Sequence, residues 1–233
     1  RTAQAIEYYE TALDLSPTEA EAILGLVHLW ITDRRFDLAQ KLLGGKLAAY
    51  GPSADLYLLV GMLYRQAGAP QEALRAFERS AELDPGSAEA AFYFGAELER
   101  LGFRAEARAA FRRAIALDPQ QAEALNYLGY MDVEAGENLP EARRLIERAL
   151  AVDPDNGAYV DSLGWLHYQQ GELDLAIERL ERASTLLRTD PVVFDHLGDA
   201  YFKRGDLERA RAAWEKAVEL DPALEATARK LEQ

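Results

Sequence analysis

Apolar side chains recur along this chain at helical spacing, in blocks of about 14 residues. In residues 88–121, Phe94 and Leu98 lie on the first block, and Ala107 and Phe111 lie on the second. Spacings of three and four residues between apolar positions are typical of a helix that is buried along one face. The pattern therefore predicts an all-α chain built from pairs of antiparallel helices.

The helix pairs repeat with a nearly constant period, which small residues mark. Glycines recur in steps of 34, 34, 35 and 34 residues, at Gly61, Gly95, Gly129, Gly164 and Gly198. An alanine series runs in phase, and a bulky apolar residue follows each alanine after four residues, as in Ala73 with Phe77. A fixed period between 20 and 50 residues is typical of a solenoid. We expect the two helices of a repeat to cross closely at the small residues, with the bulky side chain beside that contact.

Turn residues divide the chain into repeats. A second glycine series, with Gly68 as its first member, is expected to close the first helix of each repeat at positive φ. Asp-Pro pairs such as Asp84 and Pro85 end the second helices, because proline cannot continue a helix. Residues 1–19 fit the second helix of a truncated repeat, and residues 223–233 fit a polar capping helix. The complete repeats between them are 20–53, 54–87, 88–121, 122–156, 157–190 and 191–222.

The repeat resembles the tetratricopeptide repeat in its small, Gly, Tyr, Gly, Ala, aromatic, Ala and Pro positions. The resemblance covers essentially the whole chain and implies a right-handed superhelical solenoid of helix pairs. Three repeats depart from the pattern, and the fifth does so by having Arg188 at the proline position. The first has Val27 at the glycine position and lacks the turn glycine, and the fourth gains a residue near Asn138. We expect these departures to change the local twist without abolishing stacking.

The resemblance also implies that the first helix of each pair forms an inner wall that holds peptides. Aromatic side chains and carboxylates lie along the predicted wall. Such a surface favours an extended or helical segment with apolar side chains and some positive charge. Tyr130, Trp165 and Tyr168 are expected to carry much of the affinity. The residues predicted to form this groove are Leu58, Met62, Phe92, Asn126, Tyr130, Asp161, Trp165, Tyr168, Asp195, Asp199 and Phe202.

Other interpretations of these residues stay open. Aromatic rings at helical spacing are commonly core residues, so Trp165 and Tyr168 could be partly buried between repeats. Charged residues on solenoid helices commonly form solvated faces. Family members that bind chaperones grip a terminal carboxylate with Lys, Arg and Asn at the inner positions. Only Asn126 clearly fits that pattern here, so we do not expect a clamp of this kind.

Composition narrows the classes of function. The chain has 26 Lys and Arg against 40 Asp and Glu, and the net charge of −14 opposes binding to nucleic acid. Cysteine is absent, which excludes disulfides and thiolate nucleophiles, and no apolar run is long enough to cross a membrane. His28, His167 and His196 lack the spacing of a metal site, and no nucleophile or phosphate-binding motif is found. We predict a chain that is not an enzyme and needs no cofactor or metal.

One stretch carries a narrower resemblance. Several runs resemble the C-terminal part of exported or outer-membrane tetratricopeptide lipoproteins of Gram-negative bacteria. They are Leu125–Tyr130, Gly136–Leu139 with Glu141 and Ala142, Asp153–Trp165, and Asp195–Tyr201 with Trp214. Some members of that family deliver substrates to carboxy-terminal processing proteases in the periplasm. The resemblance implies a periplasmic or outer-membrane-anchored protein, with a cytoplasmic location as the alternative. Any signal or lipid anchor would precede Arg1.

The sequence thus predicts a non-catalytic scaffold that binds protein partners in its concave groove. Its most specific version is a periplasmic adaptor that binds a carboxy-terminal processing protease and its substrates. One alternative is the repeat arm of a larger enzyme, such as a glycosyltransferase, with the catalytic domain beyond Gln233. Another is self-association through apolar surface around Ile6 and Tyr9, which a missing first helix would expose.

Overall fold

The computed structural model describes residues 2–16 and 20–232, which contain fourteen α-helices and no β-strand. None of these helices combines the length and the apolar character needed to cross a membrane. In chain order they are α1 (Thr2–Leu15), α2 (Ala20–Thr32), α3 (Phe36–Tyr50), α4 (Ala54–Gln66), α5 (Pro70–Leu83), α6 (Ala88–Arg100), α7 (Arg104–Leu117), α8 (Ala122–Ala135), α9 (Leu139–Val152), α10 (Gly157–Gln170), α11 (Leu173–Leu186), α12 (Pro191–Arg204), α13 (Leu207–Leu220) and α14 (Glu225–Lys230).

The chain divides into two compact parts, the N-terminal half (residues 1–119) and the C-terminal half (residues 120–233). In the N-terminal half, α4 packs against α5 and α6 against α7. In the C-terminal half the packed pairs are α8 with α9, α10 with α11, and α12 with α13, and α14 lies against α13. Each pair joins two helices of similar length through a short turn, as the apolar pattern predicts.

The two helices of a pair cross where the sequence places its small residues. A Cβ atom added to Gly61 would lie 2.4 Å from Cδ1 of Phe77, and one added to Gly198 would lie 2.3 Å from Cδ1 of Trp214. The predicted close crossing beside a bulky side chain is therefore confirmed. In the first repeat Val27 stands at the glycine position and is completely buried.

The turns inside the pairs also follow the prediction, with one substitution. The five turn glycines have φ angles between 65° and 90°, which a residue without a side chain adopts readily. The first repeat has Arg34 at the same position of the period, and its φ is 59°. Asn138, next to the extra residue of the fourth repeat, has φ 52°.

The two ends of the described chain differ from the sequence expectation. Ile6 is buried, and the ring of Tyr9 packs against Gly25 of α2. The prediction of exposed apolar surface around Ile6 is wrong, because α2 covers it; Tyr8 is exposed instead. At the other end α14 has only six residues, Glu225–Lys230, and its Thr227 side chain is buried.

Candidate partner-binding site

The predicted groove residues of the N-terminal half differ in their accessibility. Leu58 and Met62 are half-buried on α4. Phe92 on α6 is buried, and its ring centroid lies 5.1 Å from that of Tyr93 and 6.1 Å from that of Phe111. Phe92 therefore contributes mainly to the core, whereas Met62 faces a concave surface.

In the C-terminal half the predicted aromatic residues form a three-ring stack. The ring centroids of Trp165 and Tyr168 are 4.3 Å apart, and the opposite face of Trp165 stacks on His196 at 4.2 Å. The Trp165 indole N–H donates to Oε1 of Glu134 at 2.9 Å. Trp165 is only 9% exposed, so its ring is almost completely covered, while Tyr168 is half-buried.

Asp161 and His196 form a buried pair within this cluster. Nδ1 of His196 lies 3.0 Å from Oδ2 and 3.1 Å from Oδ1 of Asp161. Burial by itself lowers the pKa of the imidazole, but the charge and hydrogen bond of Asp161 raise it, and the net pKa of His196 is raised. The nearby Ser162 hydroxyl donates to the backbone oxygen of Ala158 at 2.9 Å, so it is not directed at the imidazole.

Asp195 and Asp199 are bound by α14. Nζ of Lys230 lies 2.7 Å from Oδ1 of each carboxylate. The Thr227 hydroxyl also donates to Asp195 at 2.8 Å, and the Trp214 indole donates to Asp199 at 3.0 Å. Burial lowers the pKa of Lys230, but hydrogen bonds to both carboxylates outweigh it, and the net pKa is raised.

The partners of the groove carboxylates within the chain bear on the charge of the segment that the groove is expected to prefer. The three predicted carboxylates are Asp161, Asp195 and Asp199, and each one has a cationic or imidazole partner within the chain. Asp195 and Asp199 share the single cation of Lys230, so pairing within the chain reduces the negative charge of the groove without cancelling it. The expected preference for positive segments stays a prediction. Phe202 is 43% exposed and lies beside Trp214, with the ring centroids 5.4 Å apart.

Asn126 is the predicted groove residue with the most unusual environment. Its side chain is 8% exposed, and its Oδ1 atom is buried without a hydrogen-bond partner among the residues that the structure describes. It lies in a concave pocket of about 370 Å³ between α8, α10 and α12. The remaining residues that line this pocket are Tyr127, Tyr130, Ala158, Asp161, Ser162, Leu187, Asp190, Val192 and Val193.

The structure thus brings Asn126, Tyr130 and Asp161 to one pocket, whereas Asp195 and Asp199 lie at the contact with α14. Tyr127 and Val192 also line the pocket, where they are 38% and 43% exposed, although neither is among the residues singled out for the groove. Val192 holds the second position of its repeat, which the family resemblance places on the inner wall, whereas Tyr127 holds a position that the resemblance does not place there. Within residues 2–16 and 20–232, no three His, Asp or Glu side chains are grouped so that they could hold a metal ion.

Helix pairs that cross at a glycine and present a pocket on their first helices define an α-helical repeat scaffold. Models of the tetratricopeptide repeat match residues 1–63, 54–87, 94–137, 132–191 and 191–224. The chain therefore belongs to the tetratricopeptide repeat family. The predicted all-α fold of tetratricopeptide helix pairs is confirmed by the helix order and by the fold of similar solved structures.

Three solved structures illustrate this similarity. The APC/C hetero-tetramer Cut9–Hcn1 matches with a TM-score of 0.82 and 18% identity over 99% of this chain, which spans 45% of that chain's length. PilW, a widely conserved type IV pilus biogenesis factor, matches with a TM-score of 0.75 and 18% identity over 92% of this chain and 99% of its own. A tetratricopeptide repeat protein from Parabacteroides merdae matches with a TM-score of 0.69 and 16% identity over 99% of this chain and 91% of its own. No curated protein matches the sequence. At these identities the similarity shows the fold alone.

Proposed function

We propose that this chain is a non-catalytic scaffold that binds an extended segment of a partner protein across α8, α10 and α12. The observation that carries the proposal is the amide of Asn126, which is buried at the pocket and makes no hydrogen bond within the described residues. The family is known for protein interaction, and the fold is consistent with that general role.

The chemistry of Asn126 indicates which ligand the pocket fits. A buried polar group without a partner costs about 1–3 kcal/mol, so a ligand that pairs with it recovers this free energy. An Asn side chain offers an acceptor and two donors, which match the N–H and C=O groups of an extended peptide backbone. Val192 and Val193 provide an apolar wall for a side chain of the same segment. The expected ligand is therefore a peptide with an exposed main-chain amide and a small apolar residue beside it.

A photo-crosslinking experiment tests this proposal. The photoreactive residue benzoylphenylalanine replaces Val192 at the rim of the pocket, and the control carries it at Leu207, which is 63% exposed at the start of α13. In extracts of the source organism we expect a partner adduct at position 192 but not at position 207. The adduct should be lost when Asn126→Leu is added, because leucine has a similar size and no polar atoms.

The stability of Asn126→Leu distinguishes a binding residue from a structural one. Leucine removes the unsatisfied amide, so we expect a thermal unfolding midpoint equal to or above that of the native chain. A well-folded variant that keeps the adduct would overturn the assignment of the pocket. The absence of any adduct at position 192 would overturn it as well.

The more specific proposal is an adaptor for a carboxy-terminal processing protease. The sequence runs that carry this resemblance fall largely on α8, α10 and α12, the helices that line the Asn126 pocket. The test measures degradation of a candidate substrate by the purified protease, with and without the chain. We expect the chain to accelerate degradation and Asn126→Leu to do so less. An unchanged rate with the native chain would contradict the adaptor role.

Localisation forms part of the same proposal. The resemblance to exported lipoproteins supports a periplasmic or outer-membrane-anchored protein in bacteria, which cell fractionation would test directly.

The alternative of a repeat arm within a larger enzyme predicts a catalytic domain encoded after Gln233. Self-association, the remaining alternative, predicts a concentration-dependent mass in sedimentation experiments.

A further inference from the structure

The turn after α2 has an arginine where the later turns have glycine. Arg34 precedes Gly68 by one period of 34 residues, and it adopts φ 59° against 75° for that glycine. Positive φ is unfavourable for a residue with a Cβ atom, and strained residues of this kind cluster at functional sites. The strained backbone at Arg34 therefore indicates that its side chain has a function.

Arg34 lies at a concave pocket of about 580 Å³ in the N-terminal half. Arg65, in the last turn of α4, lines the same pocket, and its guanidinium lies 5.1 Å from the ring centroid of Tyr93. The apolar side chain of Met62 and the amide of Gln66 complete this side. Glu89 is the only carboxylate among the lining residues.

Neither arginine has a carboxylate partner among residues 2–16 and 20–232. Within the described residues, Arg34 and Arg65 form no ion pair and no side-chain hydrogen bond. This is notable because Asp and Glu outnumber Lys and Arg by 40 to 26, and arginines such as Arg75 and Arg79 are paired. Two arginines that line one pocket thus leave their hydrogen-bonding capacity unused within the described residues.

We infer that this pocket binds an acidic side chain of an extended peptide segment. A guanidinium presents N–H donors in a planar fork that matches a carboxylate, and two of them at one pocket can hold it from two sides. The site goes beyond the function proposed above, because it lies in the N-terminal half and uses different chemistry. The net charge of −14 repels polyanions, so a segment with one or two carboxylates fits better than nucleic acid.

The helix ends beside the pocket do not oppose this assignment. Carbonyl groups at the end of a helix disfavour an anion when they are left free. At the end of α2, however, the N–H of Arg35 donates to the oxygen of Trp30 at 2.7 Å, and the N–H of Arg34 donates to that of Ile31 at 3.1 Å. These two bonds satisfy two of the last four carbonyls of α2 and fix the Arg34 backbone at the pocket.

Fluorescence anisotropy with synthetic peptides tests the inference. The probe is a fluorescein-labelled, end-blocked peptide of sequence Ala-Leu-Asp-Phe-Asp-Leu-Ala, and the matched control has Asn in place of both Asp residues. We expect the acidic peptide to bind at least tenfold more tightly than the Asn peptide, and to weaken between 0.1 and 1 M salt. Arg34→Gly and Arg65→Gln should each lower its affinity about tenfold. Arg35→Gln should leave the affinity unchanged, because Arg35 does not line this pocket.

The choice of Arg34→Gly separates binding from folding. Glycine is the residue that the later turns use, so this variant should unfold at the same temperature as the native chain or higher. Binding that persists in Arg34→Gly or Arg65→Gln would overturn the inference, as would failure of the acidic peptide to bind better than its Asn control. If an Asn peptide with a free carboxyl terminus binds equally well, the ligand is a terminus and not a side chain. Asn126→Leu should not affect this peptide, so the two proposals fail independently.

Discussion

Nδ1 of His196 lies 3.0 Å from Oδ2 of Asp161, and both side chains are buried in the C-terminal half. The imidazole also stacks on Trp165, and the carboxylates of Asp195 and Glu134 add negative charge around it. Burial opposes a charged ring, but these carboxylates favour it, and the pKa of His196 is raised above the ordinary value of 6.5. The folded state therefore binds the proton of His196 more tightly than the unfolded state does.

This relationship predicts a pH dependence of stability. A raised pKa contributes stability that is fully present below the unfolded value of about 6.5 and is lost as the pH rises through the folded value. We expect the difference in unfolding free energy between the native chain and His196→Gln to fall as the pH rises above about 6.5. Urea unfolding between pH 5.5 and 9, followed by tryptophan fluorescence, measures this difference. A difference that grows with pH would contradict the assignment.

Trp165 is predicted to stabilise the fold in addition to any contribution to binding. Trp165→Ala removes a ring that stacks on Tyr168 and His196, and we expect a loss of about 3–5 kcal/mol in unfolding free energy. Tyr168→Phe keeps the stacked ring and should cost less than about 1 kcal/mol. Denaturant titration distinguishes the two variants. If Trp165→Ala costs no more than Tyr168→Phe, the stack is not structural.

Gly198 is predicted to tolerate no side chain. Its Cβ would lie 2.3 Å from Cδ1 of Trp214, and a buried indole has little room to move, so Gly198→Ala should cost about 1–3 kcal/mol. Gly44 in α3 is the matched control, because nothing lies within 4 Å of its Cβ position. Gly44→Ala should stabilise the chain by about 0.5–1 kcal/mol. Thermal unfolding of both variants checks the prediction, and equal effects would contradict it.

Lys230 is predicted to attach α14 through two carboxylates. Lys230→Gln leaves Asp195 and Asp199 without their shared cation, and we expect a loss of about 1.5–3 kcal/mol. The control Lys216→Gln breaks a pair with Glu219 in which both side chains are exposed, and it should cost less than about 1 kcal/mol. A double-mutant cycle with Asp199→Asn measures the coupling. Additive effects of the two substitutions would show that the contact does not stabilise the fold.

Local rules predicted the helix pairs and their turns correctly. The contact between Gly61 and Phe77 depends on a period and on residue size, and both can be read along the chain. The positive φ of Gly68 follows from the same period, since a helix end of this type favours glycine at that position.

The partners of the charged groups could not be read in this way. Lys230 reaches Asp195 and Asp199, which precede it by 35 and 31 residues, and no local pattern selects these pairs over the other carboxylates. The burial of Trp165 likewise depends on how closely His196 of the next repeat approaches its ring. The expected preference for positive segments counted carboxylates without their partners in the chain, so it stays a prediction.

The sequence by itself determined the helix pairs, the crossing points and the family, because these depend on periodicity, side-chain size and backbone preference. Only the tertiary structure decided which polar side chains at the two pockets lack a hydrogen-bond partner among the described residues. Asp161 is paired with His196, whereas the amide of Asn126 and the guanidinium groups of Arg34 and Arg65 have no hydrogen-bond or ion-pair partner in the described part of the chain. The reason is that pairing depends on distances between side chains on different helices, and those distances are fixed only when the helices pack.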